Sequence, residues 1–168
     1  SVASYVLICL LKWLAMGRYR PGAHGMWTLF VWKSEAITSL YESVAVPNFL
    51  NYLRGTPMLP WALRSFGVQV GRNAYLDTTD FTEFDCVTLG DDVELNAWSG
   101  PQTHLFEDRV MKVGRVVIED RVTLHARCTV LYDAVVSHDV EVGPLSLVMK
   151  GETLPSASRW TGSPVRPW

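Results

Sequence analysis

Aliphatic residues recur at every sixth position along the last third of the chain. Ile118, Leu124, Val130, Val136, Val142, Val148 and Leu154 are seven consecutive hits. A period of six matches neither the 3.6 of a helix nor the 2 of a strand. It suits a coil of short straight sides, each sending one aliphatic side chain inward to a central stack. Gly, Asp, Asn, Ser and His cluster between the hits, where such a coil would turn its corners. The rule recurs upstream in fragments, at Val70 and Leu76 and again at Leu89 and Leu95. It slips near 82–86 and breaks between Gly100 and Val117. The stretch 101–117 is therefore expected to leave the coil as a loop.

Ahead of the coil the spacing changes. Leu29, Trp32, Ala36, Leu40 and Val44 lie three or four apart, which predicts an amphipathic helix with those residues inward and Pro47 at its end. A short helix over Asn48–Arg54 should close at Gly55, and Ala62–Phe66 should add a further turn. A coil cannot bury its own open ends. The helices are expected to cover one end and the tail from Trp160 the other. Val2–Met16 is apolar except for Ser4 and Lys12, and Arg18 and Arg20 follow it. It is shorter than the ~20 residues a spanning helix needs. Two readings are open: the end of a transmembrane helix with Lys12, Arg18 and Arg20 on the cytoplasmic side, or a buried or interfacial helix. The expected layout is an apolar helix and basic linker over 1–25, a helical cap over 26–67, and a mainly β coil over 68–168 that ejects the loop 101–117.

Composition narrows the function. A net charge of −2, with basic residues scattered, gives no electrostatic case for a nucleic-acid partner. Cys9, Cys86 and Cys128 are odd in number and form no CxxC pair, so neither a zinc site nor a disulfide framework is expected. His24, His125 and His138 show no metal-ligand spacing, and HExxH, GxSxG and phosphate-loop motifs are missing.

The candidate chemistry lies in the break. His104 sits there, and functional loops are often carried on rigid scaffolds. A neutral imidazole, with an ordinary pKa of ~6.5, can take the proton from an amine that attacks a thioester. The plainer reading is a loop histidine bonded to backbone. A partner is needed to fix its tautomer: Asp108 and Glu107 are near in sequence, whereas Glu83 and Asp85 would have to be brought near by the fold. Asp77, Asp80, Glu83 and Asp85 fall within nine residues. They read as an electronegative rim for a cationic amine, or as corner carboxylates bonding turn amides. Arg109, Lys112 and Lys150 are candidates for a phosphate on the donor, or solvated charges. Asn96 and Gln102 are candidates for orienting substrate amides or an oxyanion.

These repeats resemble the hexapeptide-repeat family of left-handed parallel β-helices, which are mainly acyltransferases. Gly162-Ser163-Pro164-Val165-Arg166 is similar to that family's G-x-P-A-K/R ending, with Val for Ala. The run Leu89-Gly90-Asp91-Asp92-Val93-Glu94-Leu95-Asn96, followed eight residues later by His104, resembles the segment leading to the active-site His of the maltose and galactoside acetyltransferases. On that resemblance His104 is the base, and Glu83 stands loosely where a substrate-binding Asn would be. Further stretches resemble the C-terminal region of the ε-poly-lysine-synthetase-like nonribosomal peptide synthetases: Gly55-Thr56-Pro57, then 77–85, 102–112 and 143–152. In that family, membrane helices alternate with acetyltransferase-like domains that join amino-acid monomers. The resemblance implies a piece of a larger membrane-bound synthetase with its catalytic domain on the cytoplasmic side. Its reaction would join a carrier-bound aminoacyl thioester, held on phosphopantetheine, to an amine acceptor such as an amino acid. A CoA-dependent acetyltransferase and a non-catalytic scaffold are the alternatives. A homotrimer or a tandem pseudo-trimer is also implied.

Overall fold

In the computed structural model, which describes residues 1–168, the sixfold hits form one column. Ile118, Leu124, Val130, Val136, Val142, Val148 and Leu154 are all fully buried. Each sits in a strand of two or three residues, and strands three hexads apart pair in parallel. Along one side Val70 pairs with Leu89, Leu89 with Ile118, Ile118 with Val136 and Val136 with Leu154. Leu76, Leu95, Leu124 and Val142 make the second side. Pro101, Val130 and Val148 make the third. These ladders belong to sheets of five, six and three strands.

The corners explain the polar residues between the hits. Arg121, Arg127, Asp133, Asp139, Leu145, Gly151 and Ala157 follow at six-residue intervals, all with φ between 53° and 71°. L-residues seldom adopt this left-handed conformation. Here neighbouring turns over-determine it: the corner amides of Arg121, Asp139, Leu145 and Ala157 donate to the carbonyls of Asp91, Asp120, Ala126 and His138.

The break is regular structure, not a loop. Gly100–Gln102 stays in the coil against Thr129–Leu131, and the coil resumes at Val116. Between them His104–Glu107 and Val110–Val113 pair as an antiparallel hairpin. Asp108 and Arg109 form its two-residue turn, both at positive φ (53° and 61°), the conformation that matches the twist of hairpin strands. β1 (Gly22–Gly25) adds antiparallel to Val110–Val113. The expected loop 101–117 thus shrinks to a hairpin, because pairing with β1 satisfies backbone groups that an excursion would leave open. Met111 and Val113 are buried beneath it.

The helices cap the first turn of the coil. α1 (Val2–Ala15) and α2 (Leu29–Leu40) come first. A π turn over Tyr41–Ala45 leads from α2 into the short α3 (Val46–Asn48). A 3-10 turn spans Leu50–Leu53, and α4 (Met58–Phe66) stops at Gly67, whose φ is 115°. Tyr41, Phe66 and Phe84 meet with ring centroids 4.9–5.3 Å apart and plug the end. Pro47 does not end the helix as expected; the widened π turn just before it accommodates a residue without an N–H. The inward face of α2 also differs. Val31, Ser34, Ile37, Tyr41 and Ala45 are buried, while Leu29 and Trp32 are 75% and 59% exposed.

α1 is 14 residues long, and no helix is long and apolar enough to cross a membrane. Lys12 does not flank a span with Arg18 and Arg20. It is fully buried, with Nζ 2.6 Å from Asp85 Oδ2 and 3.6 Å from the Trp13 ring centroid. The Tyr19 amide donates to the same Asp85 oxygen at 3.1 Å. Asp85 is therefore an interior partner for Lys12 and not a rim carboxylate for substrate. At the other end, Arg166–Pro167 folds back antiparallel on Arg159–Thr161 and buries Val165, closing the coil.

Candidate active site

His104 opens the first strand of the hairpin, where it leaves the coil. Glu83 arrives from the segment that slips register, just ahead of the 3-10 turn Phe84–Cys86. Glu83 Oε2 lies 2.8 Å from His104 Nδ1 and accepts from Thr103 Oγ1 at 2.7 Å. Its Oε1 accepts from Ser34 Oγ at 3.1 Å, reached from the inner face of α2. The Thr82 and Thr103 hydroxyls are themselves 2.8 Å apart. A buried carboxylate is tolerable only when paired and bonded in this way.

Burial pushes the Glu83 carboxyl upward, but the bonds from His104 and Thr103 outweigh it and hold the group below its ordinary range. Burial likewise disfavours a charged His104. The bond and charge of Glu83 outweigh that, the Glu35 carboxylate adds to them, and the imidazole is raised. With the Glu83 carboxylate on Nδ1, a neutral ring keeps its hydrogen there and leaves the Nε2 lone pair free. That is the tautomer a general base needs.

Alternation along the hairpin sorts its side chains. His104 and Phe106 share one face; Leu105 and Glu107 share the other. The Phe106 ring stands edge-on to His104, centroids 5.5 Å apart. Phe106 also walls an open trough of about 540 Å³ together with Met26, Trp27, Val31, Trp32 and Glu35. The trough is apolar apart from Glu35.

Several candidates fall elsewhere. Asp108 and Arg109 turn the hairpin at the end opposite His104, which pairs with Val113, so Asp108 does not orient the imidazole. Glu107 faces the other way, bonded by Lys112 at 2.8 Å and by Lys150, which pull it down to about 2. The three residues tie the hairpin to the coil, so Glu107 is not a substrate carboxylate. Asn96 spends its amide on Glu94 and the Leu124 carbonyl within the coil. Gln102 donates to the His104 carbonyl at 3.1 Å and steadies the base of the hairpin. Asp80 lines a separate cavity of about 400 Å³ with Glu42, Arg54 and Trp98, whose walls include neither His104 nor Glu83. Burial raises its carboxyl. Sequence reasoning missed Ser34, Thr103 and Glu35. Ser34 left one trace: it is a hydroxyl in helical phase with Val31, Ile37 and Tyr41.

Comparison with known proteins bears on the fold and on the kind of relative. No family model matches the chain. The fold is that of the hexapeptide-repeat acetyltransferases. A maltose O-acetyltransferase from Clostridium difficile 630 superposes with a TM-score of 0.54 at 17% identity, over 99% of this chain and 86% of that one. A hexapeptide-repeat acetyltransferase from Vibrio cholerae gives 0.55 at 14% identity, over 99% and 90%; its structure is also known in complex with acetyl coenzyme A. Among curated proteins, the delta-poly-L-ornithine synthetase of Acinetobacter baumannii (strain AB307-0294) is 59% identical over 168 residues. The match spans 100% of this chain and 13% of that synthetase. The resemblance to poly-amino-acid synthetases noted from the sequence is thus matched by a relative alike along the whole chain.

Proposed function

We propose that this chain transfers an acyl or aminoacyl group from a thioester to an amine, with His104 as general base and Glu83 as the residue that positions it. The observation that carries this is the 2.8 Å contact between His104 Nδ1 and a fully buried carboxylate, which leaves Nε2 unpartnered on an acyltransferase-type coil. The amine nitrogen attacks the thioester carbonyl and its proton passes to Nε2. When the tetrahedral intermediate collapses, the carbon–sulfur bond breaks and the thiolate takes that proton from the imidazolium. Glu83 stabilises the imidazolium between the two transfers.

The 59% identity to a delta-poly-L-ornithine synthetase supports an amino-acid acceptor, a carrier-bound aminoacyl thioester as donor, and a larger synthetase as the setting. The acetyl coenzyme A complex of the Vibrio protein supports CoA as an alternative donor. Both donors end in the same phosphopantetheine arm; the three cations the sequence offered for its phosphate lie away from the His104 face, Lys112 and Lys150 paired with Glu107 and Arg109 in the hairpin turn. We take the coil as left-handed and its assembly as three coils, from separate or tandem copies. We also take the chain as membrane-associated, because α1 exposes Leu7, Leu10 and Leu14 while packing its other face; its cytoplasmic side is taken from the synthetase resemblance alone.

The test is His104→Ala in the intact synthetase. Product formation should fall ~10²–10⁴-fold, with amino-acid adenylation and the fold retained. Unchanged product would make the domain a scaffold. Supplying acetyl-CoA or a loaded carrier to the same enzyme separates the two donors.

A further inference from the structure

A cavity of about 600 Å³ opens where the basic linker after α1 meets the coil, and four arginines line it: Arg18, Arg20, Arg64 and Arg115. The register that pairs Gly22 with Val113, carried two residues further, sets Arg20 across from Arg115. Like charges so placed repel. Arg64 donates to the Val70 and Gly71 carbonyls, whereas no side chain of the protein bonds the guanidinium of Arg18, Arg20 or Arg115. Asp85 is the one carboxylate of the lining, and Lys12 and the Tyr19 amide already engage it. Arg18 lies close enough to Lys12 for those two cations to repel as well. The cavity thus holds positive charge that no carboxylate neutralises. Planar guanidiniums take phosphate oxygens two at a time. Trp13 joins this cavity to a second feature. It walls the cavity and its indole donates to the Ser65 carbonyl at 2.8 Å. On α1 it neighbours Leu10 and Leu14, which are 55% and 84% exposed.

We infer that the arginine cavity holds the phosphate of an anionic phospholipid headgroup, with the acyl chains lying along the exposed leucines of α1. The inference rests on the proposed membrane association and adds the ligand that fixes it in place. Two sources of phosphate are chemically alike here, a lipid headgroup and the phosphopantetheine arm of the donor. The placement favours the lipid. Through Trp13 the cavity is continuous with an apolar helix face, and tryptophan is a residue that sits at headgroup level. On its inner side the cavity is closed toward the catalytic pair: Tyr19, 4% exposed, stands close to Ser34 and Glu83. The arginines then meet phosphates while the leucines enter the acyl boundary. Each basic residue at such a surface strengthens binding roughly fivefold.

The experiment floats the whole chain with vesicles of phosphatidylcholine alone, of phosphatidylcholine mixed with phosphatidylglycerol, and of phosphatidylcholine mixed with oleate to the same surface charge. Binding should be strongest to the phosphatidylglycerol vesicles. Arg20→Gln with Arg115→Gln should weaken it roughly tenfold or more. Lys33→Gln with Arg166→Gln removes the same charge from outside the cavity and should leave binding nearly unchanged. All four residues are exposed, so the fold is retained, and circular dichroism verifies it. An equal loss in the two double variants overturns the inference, as does equal binding to the oleate and phosphatidylglycerol vesicles. Equal binding to the neutral vesicles overturns it too but leaves membrane association standing, whereas capture by none removes both. Free phosphopantetheine that releases the chain at a concentration where inorganic phosphate does not would assign the cavity to the donor and overturn the lipid assignment. The role of His104 stands or falls separately, on His104→Ala.

Discussion

Replacing Glu83 with Gln separates a positioned base from an incidental histidine. The side chain has no solvent exposure and accepts from three donors: Ser34, Thr103 and His104. Gln has the same shape, but one oxygen becomes an NH₂ that can only donate. If its oxygen stays toward His104, the ring keeps the Nδ1 hydrogen and loses only the charge behind it. A hydrogen bond to a charged group contributes ~1.5–3 kcal/mol, so the imidazolium formed during attack is stabilised about tenfold to a hundredfold less. If the NH₂ turns toward His104, Nδ1 must accept and the hydrogen moves to Nε2. No base then remains, and the loss approaches the ~10⁴ seen when an amide replaces the carboxylate behind a catalytic histidine.

The pH profile gives the diagnostic. Glu83 holds the imidazole above its ordinary value against the effect of burial. The base acts when neutral, so the wild-type rate rises as pH climbs through that raised value. Without the carboxylate, burial dominates and the rising limb moves to lower pH, while the plateau falls. The assay is kcat/KM for amide formation by the loaded synthetase across pH ~5 to 9, with circular dichroism to verify the fold. A limb that stays in place, with a plateau within about threefold of wild type, would refute the dyad.

Three further outcomes are expected. Lys12→Met leaves the largely covered Asp85, 11% exposed, without its cation and should cost up to ~3–5 kcal/mol in a urea titration; adding Asp85→Leu should restore most of that, because the desolvation goes with the pair. Leu124→Ala opens a void in a fully buried position of the column and should lower stability by ~2–5 kcal/mol. Asp108→Asn keeps a residue tolerant of positive φ in the hairpin turn and should leave the rate of amide formation unaltered; a large loss would put Asp108 back beside His104.

The column was legible because each hexad contributes one aliphatic residue whatever its corners contain. The break was legible as missing hits, but its content was not. Its turn is Asp108-Arg109, without the Asn-Gly that usually marks a tight hairpin. Its third strand comes from Gly22–Gly25, remote in sequence and only four residues long. Glu83 and Asp85 were equivalent on paper, two residues apart in one acidic run. The fold separates them: Glu83 goes to His104, and Asp85 to Lys12. α2 misled for a physical reason. Its outer stripe, with Leu29 and Trp32, is more hydrophobic than its inner stripe, which contains Ser34. A rule that sends the greasier face inward fails where a buried carboxylate such as Glu83 needs a hydroxyl donor on that face.

The insertion shows how this coil can carry chemistry without losing its phase. One full turn takes 18 residues, as between the corners Arg121, Asp139 and Ala157, whereas Asp92 precedes Arg121 by 29. The eleven extra residues leave and re-enter on one side of the coil, so Leu89 and Ile118 still pair directly. The aliphatic column is continuous above and below the hairpin, whose Met111 and Val113 join the same core. The site therefore sits where two independent constraints meet. The coil and helical cap bring Glu83 and Ser34 to a fixed place, and the hairpin sets His104 against them. Deleting the hairpin back to the coil should leave the column intact and remove the imidazole. A deletion variant that failed to form parallel β structure would show instead that the hairpin and β1 are needed to build the coil.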